Sequence, residues 1–237
     1  MADTATGRNI EAIRERIEAA CIRSGRKISD VALMAVSKFH CLEKIEEAWD
    51  AGIGLFGENR VQEAAGKFGA GGHWQEKHPG AEIHLIGSLQ RNKVKTAVSL
   101  VDCIESVDRD ELIDELGKQC RDRESPLGLL LEINAGEASK SGFPGEGELF
   151  RGAEKVLSYP GLLPRGLMIM APLTGEELRI RRAFRSLVHA GNELRKRFPQ
   201  ADWSCLSMGM SGDFEIAIEE GSSLVRIGTA IFGERRL

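Results

Sequence analysis

Val31-Ala32-Leu33-Met34-Ala35-Val36-Ser37-Lys38 is a short, nearly uninterrupted apolar run that ends in a lysine. Helical patterns lie on both sides of it. An apolar run of this length between helices predicts a strand of a parallel sheet, buried on both faces. Parallel sheets carry their chemistry at the carboxyl ends of their strands. Lys38 stands at such an end. Alone, it reads first as a lysine that snorkels to solvent, since exposed lysines are the rule. The alternative is an amine whose pKa is lowered by its surroundings, which is a nucleophile toward aldehydes.

Working outward, residues 8–23 place Ile10, Ile13, Ile17 and Ala20 or Cys21 on one face of an amphipathic helix, ended by Ser24-Gly25. After the first strand, Leu42 to Ala51 reads as a helix and Leu55-Phe56-Gly57 as a strand leading into Glu58-Asn59-Arg60. Residues 60–68 are helical, Gly69 to Gly80 reads as a Gly/His-rich surface loop, and Glu82 to Ile86 is the third strand. A basic helix over 91–99, a strand from Val101 to Ile104 and a helix from Asp108 to Asp122 follow, the last opened by acidic residues as the helix dipole favours. Leu127 to Ile133 is the most strand-like run in the chain; a Gly/Ser loop (134–147) and a helix at 148–158 come next. Leu162 to Met170, Cys205 to Met208 and Leu224 to Ile227 are the remaining strands. They are separated by helices over 175–198 and from Asp213 to Glu220, and a last short helix follows Gly228. Eight βα units in 237 residues predict an α/β fold: a (β/α)8 TIM barrel with an extra N-terminal helix, one domain over residues 1–237. A doubly wound sheet would want G-x-G-x-x-G after the first strand, where the chain reads Ser37-Lys38-Phe39-His40.

Composition excludes several classes. The hydrophobic fraction of 42% supports a sizeable core, and a net charge of −4 with no basic bias argues against generic nucleic-acid binding. No apolar run approaches the roughly 18 residues of a membrane span, and Met1 to Asn9 lacks a signal peptide's apolar core. Cysteines 21, 41, 103, 120 and 205 are odd in number, widely spaced and free of C-x-x-C, which predicts buried thiols and a cytoplasmic protein.

The seventh strand ends in Leu206-Ser207-Met208-Gly209-Met210-Ser211-Gly212-Asp213, and the eighth in Arg226-Ile227-Gly228-Thr229. Glycines that let backbone N–H groups approach an anion, hydroxyl donors and helix starts stand in the two positions where barrels commonly hold phosphate. Asp213 is expected as a helix cap there, since a carboxylate beside a phosphate is unfavourable. In a closed barrel the first and eighth strands are neighbours, so Lys38 faces this cradle. A cofactor with both an aldehyde and a phosphate, pyridoxal 5′-phosphate, joins the two. Arg226 could then meet the pyridine nitrogen, leaving it unprotonated, or simply contact the phosphate.

Several boxes in order carry a resemblance: Ala35-Val36-Ser37-Lys38; Phe56-Gly57-Glu58-Asn59-Arg60-Val61-Gln62-Glu63; His84-Leu85-Ile86-Gly87-Ser88-Leu89-Gln90-Arg91-Asn92-Lys93; and the two phosphate loops, Leu206 to Asp213 and Val225 to Gly233. From Val31 to Gly233 the chain resembles the pyridoxal phosphate homeostasis proteins, the YggS/PROSC family, relatives of the alanine racemase N-terminal barrel. The resemblance implies a Schiff base on Lys38, a phosphate held by Ser207, Ser211, Gly228 and Thr229, Arg226 near the ring nitrogen or phosphate, and Asn59, His84, Met168 and Met208 lining the pocket. The chain departs from the family at the 69–80 loop, at Glu82-Ile83 before His84, and at Met168-Ile169-Met170-Ala171-Pro172.

The remaining candidates are weaker. His84 has no second ligand at a metal spacing, and no metal is expected. His73 and His78 read as loop residues; Lys140 and Ser141 follow the fifth strand on the active face, where Lys140 reads first as a solvated loop lysine; and Arg91, Lys93 and Lys95 read as a solvated helix face, with anion binding as the alternative. Glu58 is expected to pair with Arg60 or a nearby lysine rather than act as a base.

The leading expectation is a cytoplasmic, monomeric carrier of vitamin B6 with no established catalytic residue, handing cofactor to apo-enzymes that depend on it as transient acceptors. The alternative is a weak amino-acid racemase with Lys38 as one base. A racemase would need a second acid/base, and the lone Tyr159 falls before the sixth strand, on the wrong side. A cofactor-free scaffold is the third reading, since fold does not fix function.

Overall fold

The run from Val31 to Val36 is apolar throughout, so both faces of its extended chain must be covered. In the computed structural model, which describes residues 4–69, 74–136 and 141–233, closure of a barrel does this. Helix α1 (Ala5–Arg23) precedes β1 (Ala32–Val36), α2 (Leu42–Asp50), β2 (Leu55–Glu58), α3 (Val61–Phe68) and a short α4 (Trp74–Lys77). Then come β3 (Glu82–Leu85), α5 (Val94–Val98), β4 (Cys103–Val107), α6 (Asp110–Gln119), β5 (Leu127–Ile133) and α7 (Glu146–Leu157). The chain continues through β6 (Leu162–Ile169), α8 (Glu177–Arg197), β7 (Cys205–Ser207), α9 (Phe214–Glu219), β8 (Leu224–Ile227) and α10 (Thr229–Phe232). The eight strands close in sequence order. Every pairing is parallel, and β8 meets β1 with Ala32 opposite Leu224 and Met34 opposite Arg226. This is the TIM barrel with an N-terminal helix that the strand count predicts.

Strand side chains alternate between the barrel interior and the helix layer. Ala35, Phe56, Ile83, Ile104, Leu129, Leu131, Leu167, Leu206, Val225 and Ile227 join the large core under the helices. Met34, Val36 and Leu224 form one small interior cluster, and Cys103, Leu130 and Met168 another. Between them the interior buries His84, Glu105, Glu132, Ser207 and Arg226. Lys38 follows in the turn just beyond Val36, at the same end of the barrel interior.

Helix α1 starts on a Thr4 cap whose Oγ1 accepts from the Gly7 N–H at 3.0 Å, which satisfies one otherwise unpaired helix N–H. It ends before Gly25, at φ 68°, where a Cβ would be strained. Its apolar face (Ile10, Ile13, Ile17, Ala20, Cys21) is buried. It packs on α2 on one side and on α9 and α10 on the other, so it lies across the β8–β1 closure.

The structure departs from the sequence expectations in a few elements. The fourth strand runs over Cys103–Val107 rather than from Val101 to Ile104. Glu105 and Ser106 look like loop residues in the sequence, but they are buried, with Ser106 Oγ donating to the Gly87 carbonyl at 2.7 Å. The expected loop from Gly69 to Gly80 contains α4, because Trp74 is buried among Phe56, Phe68 and Trp49. His78 is likewise part of this packing: it stacks on Trp74 and hydrogen-bonds Glu46 at 2.7 Å. The basic segment divides into a 3-10 turn, Arg91–Lys93, and α5. His73 and Lys140 lie outside the described residues.

Candidate functional site

The carboxyl ends of β1, β2, β6, β7 and β8 surround a cavity of about 270 Å³. Lys38, Phe39 and His40 contribute from the end of β1, Asn59 from β2, and Met168 and Met170 from β6. Ser211 and Gly212 enter from the loop after β7, and Arg226, Gly228 and Thr229 from β8 and its exit. Of the ten residues expected at the pocket, the structure brings together Lys38, Asn59, Met168, Ser211, Arg226, Gly228 and Thr229.

The turn that presents Lys38 is held from behind. Phe39 adopts φ 67°, a left-handed conformation that a bulky side chain rarely takes without support. Its N–H donates to Glu63 Oε1 in a short hydrogen bond. Lys67 Nζ donates to that same oxygen at 2.7 Å, to the Ser37 carbonyl at 2.7 Å and to Glu58 Oε1 at 2.8 Å. Ser37 Oγ also donates to Glu58 Oε1, at 2.7 Å. Glu58 thus pairs with Lys67, and it faces α3 rather than the cavity. Burial pushes its carboxyl upward, against the pull of Lys67 and Ser37.

The two loops after β7 and β8 touch each other through Ser211 Oγ, which accepts from the Ala230 N–H at 3.5 Å. Gly209 takes φ 98°, and a Cβ there would lie 2.6 Å from the Ala217 Cβ, so the first loop requires glycine. Asp213 stands at the N-cap position of α9, but makes no side-chain cap bond. Its Oδ1 instead accepts from the Met210 N–H at 2.6 Å, which folds the loop onto itself. The expectation of a capping role is corrected accordingly.

Arg226 forms part of the cavity wall and is nearly completely buried. Nη1 donates to Ser207 Oγ at 2.6 Å and Nη2 to the Ile169 carbonyl at 2.9 Å. Ser207 Oγ donates in turn to Glu105 Oε2 at 2.5 Å. Glu105 Oε1 meets His84 Nδ1 at 2.7 Å, and His84 Nε2 lies 3.3 Å from Glu82 Oε2. Burial disfavours the charged imidazole, but the hydrogen bonds to Glu105 and Glu82 outweigh it and raise the His84 pKa to about 9. Burial also opposes ionisation of Glu105, and His84 and Arg226 together hold its carboxyl below the usual range. Burial lowers the pKa of Arg226, against the opposing charges of Glu105, Asp213 and Glu132.

Three expected pocket residues are placed elsewhere. Ser207 lies beneath the cavity wall, with its hydroxyl engaged by Arg226 and Glu105 rather than turned to the phosphate loops. His84 sits toward the amino ends of the strands, where it borders a separate basin. Met208 is one residue out of phase with the interior, so its side chain is buried in the layer under the helices. Glu105 and Glu132 are not among the residues that the sequence singles out. Their signal was a lone glutamate within Cys103-Ile104-Glu105-Ser106-Val107 and within Leu127–Ile133, at an inward-facing position of each strand. Glu132 Oε1 accepts from Ser141 Oγ at 2.7 Å, which ties Ser141 to the end of β5. Tyr159 lies outside the barrel, its hydroxyl donating to Asp114 Oδ1 at 2.9 Å.

The model of the alanine racemase N-terminal domain family matches residues 9–236 of this chain. The chain is 43% identical over 230 residues to a Vibrio cholerae serotype O1 protein named pyridoxal phosphate homeostasis protein, covering 96% of this chain and 95% of that one. Its structure is similar to that of an unknown protein from Bifidobacterium adolescentis, with a TM-score of 0.87, 35% identity and 98% of each chain covered. It is also similar to PipY of Synechococcus elongatus PCC7942 with PLP bound, with a TM-score of 0.79, 34% identity, and 93% of this chain and 100% of that one covered.

Proposed function

The chain belongs to the pyridoxal phosphate homeostasis family, built on the alanine racemase N-terminal domain, and on that premise we propose that it binds pyridoxal 5′-phosphate in the cavity at the carboxyl ends of its strands. Lys38 holds the cofactor as a Schiff base, and the protein serves the intracellular supply and balance of vitamin B6 rather than turning over a substrate. The barrel over residues 1–237 acts as a single-domain monomer in the cytoplasm and gives cofactor up to apo-enzymes.

The observation that carries this reading is the gathering of an amine, two hydroxyls, two glycines and a guanidinium around one cavity: Lys38, Ser211, Thr229, Gly212, Gly228 and Arg226. The residues fit the group. Gly228 approaches β1 so closely that a Cβ would stand 3.2 Å from the Val36 carbonyl oxygen. Asn59 borders the cavity, and its buried Oδ1 has no protein partner among the described residues, so it awaits a donor. When bound, the cofactor supplies an aldehyde that an amine captures reversibly, with loss of water. Lys38 supplies that amine. Ser211 and Thr229 donate hydroxyl protons to the phosphate. Arg226 keeps N–H groups beyond those given to Ser207 and Ile169, and as a permanent donor it cannot take a proton from the ring nitrogen. An unprotonated ring is a weaker electron sink, which favours holding the cofactor over carbanion chemistry.

The test is the visible spectrum of the purified protein, with and without added pyridoxal phosphate, beside Lys38→Ala. A lysine-linked band in the wild type that is absent from the variant is expected, with the circular dichroism of the two unchanged. A variant as yellow as the wild type, still trapped covalently by borohydride, would remove Lys38 from the role. Deuterium exchange at the α-carbon of the common amino acids should not exceed that of free cofactor; exchange well above it would make the protein a racemase-like enzyme instead.

A further inference from the structure

We propose that Glu105 and His84 are positioning residues for the cofactor site: with Ser207 they form a buried polar chain that fixes Arg226 against the cavity, so that the cavity is coupled through the barrel interior to its opposite mouth. This rests on the cofactor reading above.

The chain of contacts is continuous. It begins at Arg226 on β8 in the cavity wall and passes through Ser207 on β7, at 2.6 Å, and Glu105 on β4, at 2.5 Å. It continues to His84 on β3, at 2.7 Å, and to Glu82 at the start of β3, at 3.3 Å. Arg165 Nη1 closes it at 2.9 Å from Glu82 Oε2. Glu82, His84 and Arg165 border a basin of about 500 Å³ at the amino ends of the strands, the face opposite Lys38. The middle of the chain is closed to bulk solvent: Ser207 and Glu105 are fully buried, and Arg226 and His84 nearly so.

Such a line of groups is expensive to bury unless each member has partners. Here the charged members alternate in sign, from Arg226 through Glu105, His84 and Glu82 to Arg165. Glu105 Oε2 lies 3.9 Å from Arg226 Nη1, with the Ser207 hydroxyl bonded to both. The hydroxyl can serve both only in one orientation, accepting from the guanidinium and donating to the carboxylate. The guanidinium plane is fixed in turn by its second contact, to the Ile169 carbonyl. Its remaining N–H groups are therefore aimed by contacts that lie outside the cavity. Removing Glu105 leaves the serine hydroxyl free to rotate and the arginine with a distant counter-charge. The arginine then relaxes toward Glu132 or Asp213, the other carboxylates acting on it.

The experiment measures pyridoxal phosphate affinity and the imidazole 15N spectrum of His84 in wild type, Glu105→Gln and Ser207→Ala. The His84 signals are assigned by their loss in His84→Gln. Both test variants should still form the lysine-linked band but bind roughly tenfold more weakly, the size expected when a buried polar group loses its partner. Glu105→Gln should add little further loss in an Arg226→Lys background, since both changes act on one contact. Cofactor should shift the His84 resonances in wild type, though His84 does not border the cavity, and should leave them unmoved in Ser207→Ala. A general loosening of the fold would not abolish that shift selectively. Wild-type affinity in both variants, or His84 signals indifferent to cofactor in the wild type, would overturn the proposal. A missing lysine-linked band in the wild type would instead overturn the cofactor reading itself. If Glu105→Gln does not fold, Ser207→Ala decides alone, because it removes the link without stranding a charge.

Discussion

His84 shows how much one residue's setting decides. An isolated imidazole in an apolar barrel would lose its proton; here two carboxylates on either side keep it, and its pKa is raised to about 9. Glu82 is correspondingly held down to about 2, chiefly by its hydrogen bond to His84, with Arg165 assisting. A histidine whose folded pKa exceeds its unfolded value of 6.5 adds stability that is complete below that pH and is lost as pH rises through about 9. A depressed carboxyl does the reverse: the Glu82 contribution is present above about 4.5 and is lost as pH falls through about 2. The unfolding free energy should therefore decline between pH 6.5 and 9, by an amount on the order of 3 kcal/mol as an upper bound. Urea titrations across that window should give a clear slope in wild type and a flatter one in His84→Gln. Equal slopes would show that His84 is not the group responsible.

At the scale of elements, the cavity depends on how β1 is tied to α3. Lys67 neutralises Glu58 and bridges to Glu63, which in turn holds the Phe39 N–H. Lys67→Met leaves a fully buried carboxylate without its cation, and such a loss destabilises by about 3 kcal/mol. Glu58→Gln in the same chain should recover part of it, because no charge is then stranded. Chemical denaturation of the single and double variants checks this, and a single variant as stable as wild type would refute the account. Much of this scale is legible in the sequence. The apolar run ending at Lys38, the glycine-rich ends of β7 and β8, and the spacing of strands and helices all follow from local patterns. The β4 boundary does not, because Glu105 breaks an apolar pattern for reasons that exist only inside the closed barrel. The resemblance implies Met208 at the pocket, but the two-residue alternation turns its side chain into the layer under the helices, and a hydroxyl near a glycine loop, as at Ser207, looks free in sequence although Arg226 and Glu105 claim it in the fold. Side chains from β3, β4, β7 and β8 meet across the interior, and no sequence window contains them together.

At the scale of the whole molecule, the site straddles the closure of the barrel, because Lys38 follows β1 while Gly228 and Thr229 follow β8. Those strands are hydrogen-bonded neighbours, and α1 clasps them from outside. Asn9 Nδ2 donates to the Ile231 carbonyl at 2.8 Å on the β8 side, and Arg14 donates to the Ala51 and Gly52 carbonyls at 3.0 and 2.9 Å on the β1 side. The exposed pairs Arg16–Glu215 and Arg23–Glu219 add little; the buried Ile10, Ile13 and Ile17 carry the contact. Ile13→Ala should destabilise the protein by about 2–5 kcal/mol, as large-to-small changes in a packed core do. Leu116→Ala should destabilise it similarly, since Leu116 is equally buried in α6, which follows β4. The two should differ in the cavity. Loosening α1 lets the ends of β1 and β8 move apart, so Ile13→Ala should bind pyridoxal phosphate more weakly even at temperatures where the variant is fully folded. Leu116→Ala, remote from the closure, should bind it as wild type does. Titration of both variants well below their melting temperatures separates the effects, since at that point affinity no longer reflects the folded fraction. Equal affinities in the two would mean that the β8–β1 closure holds without α1, and that the helix serves stability alone.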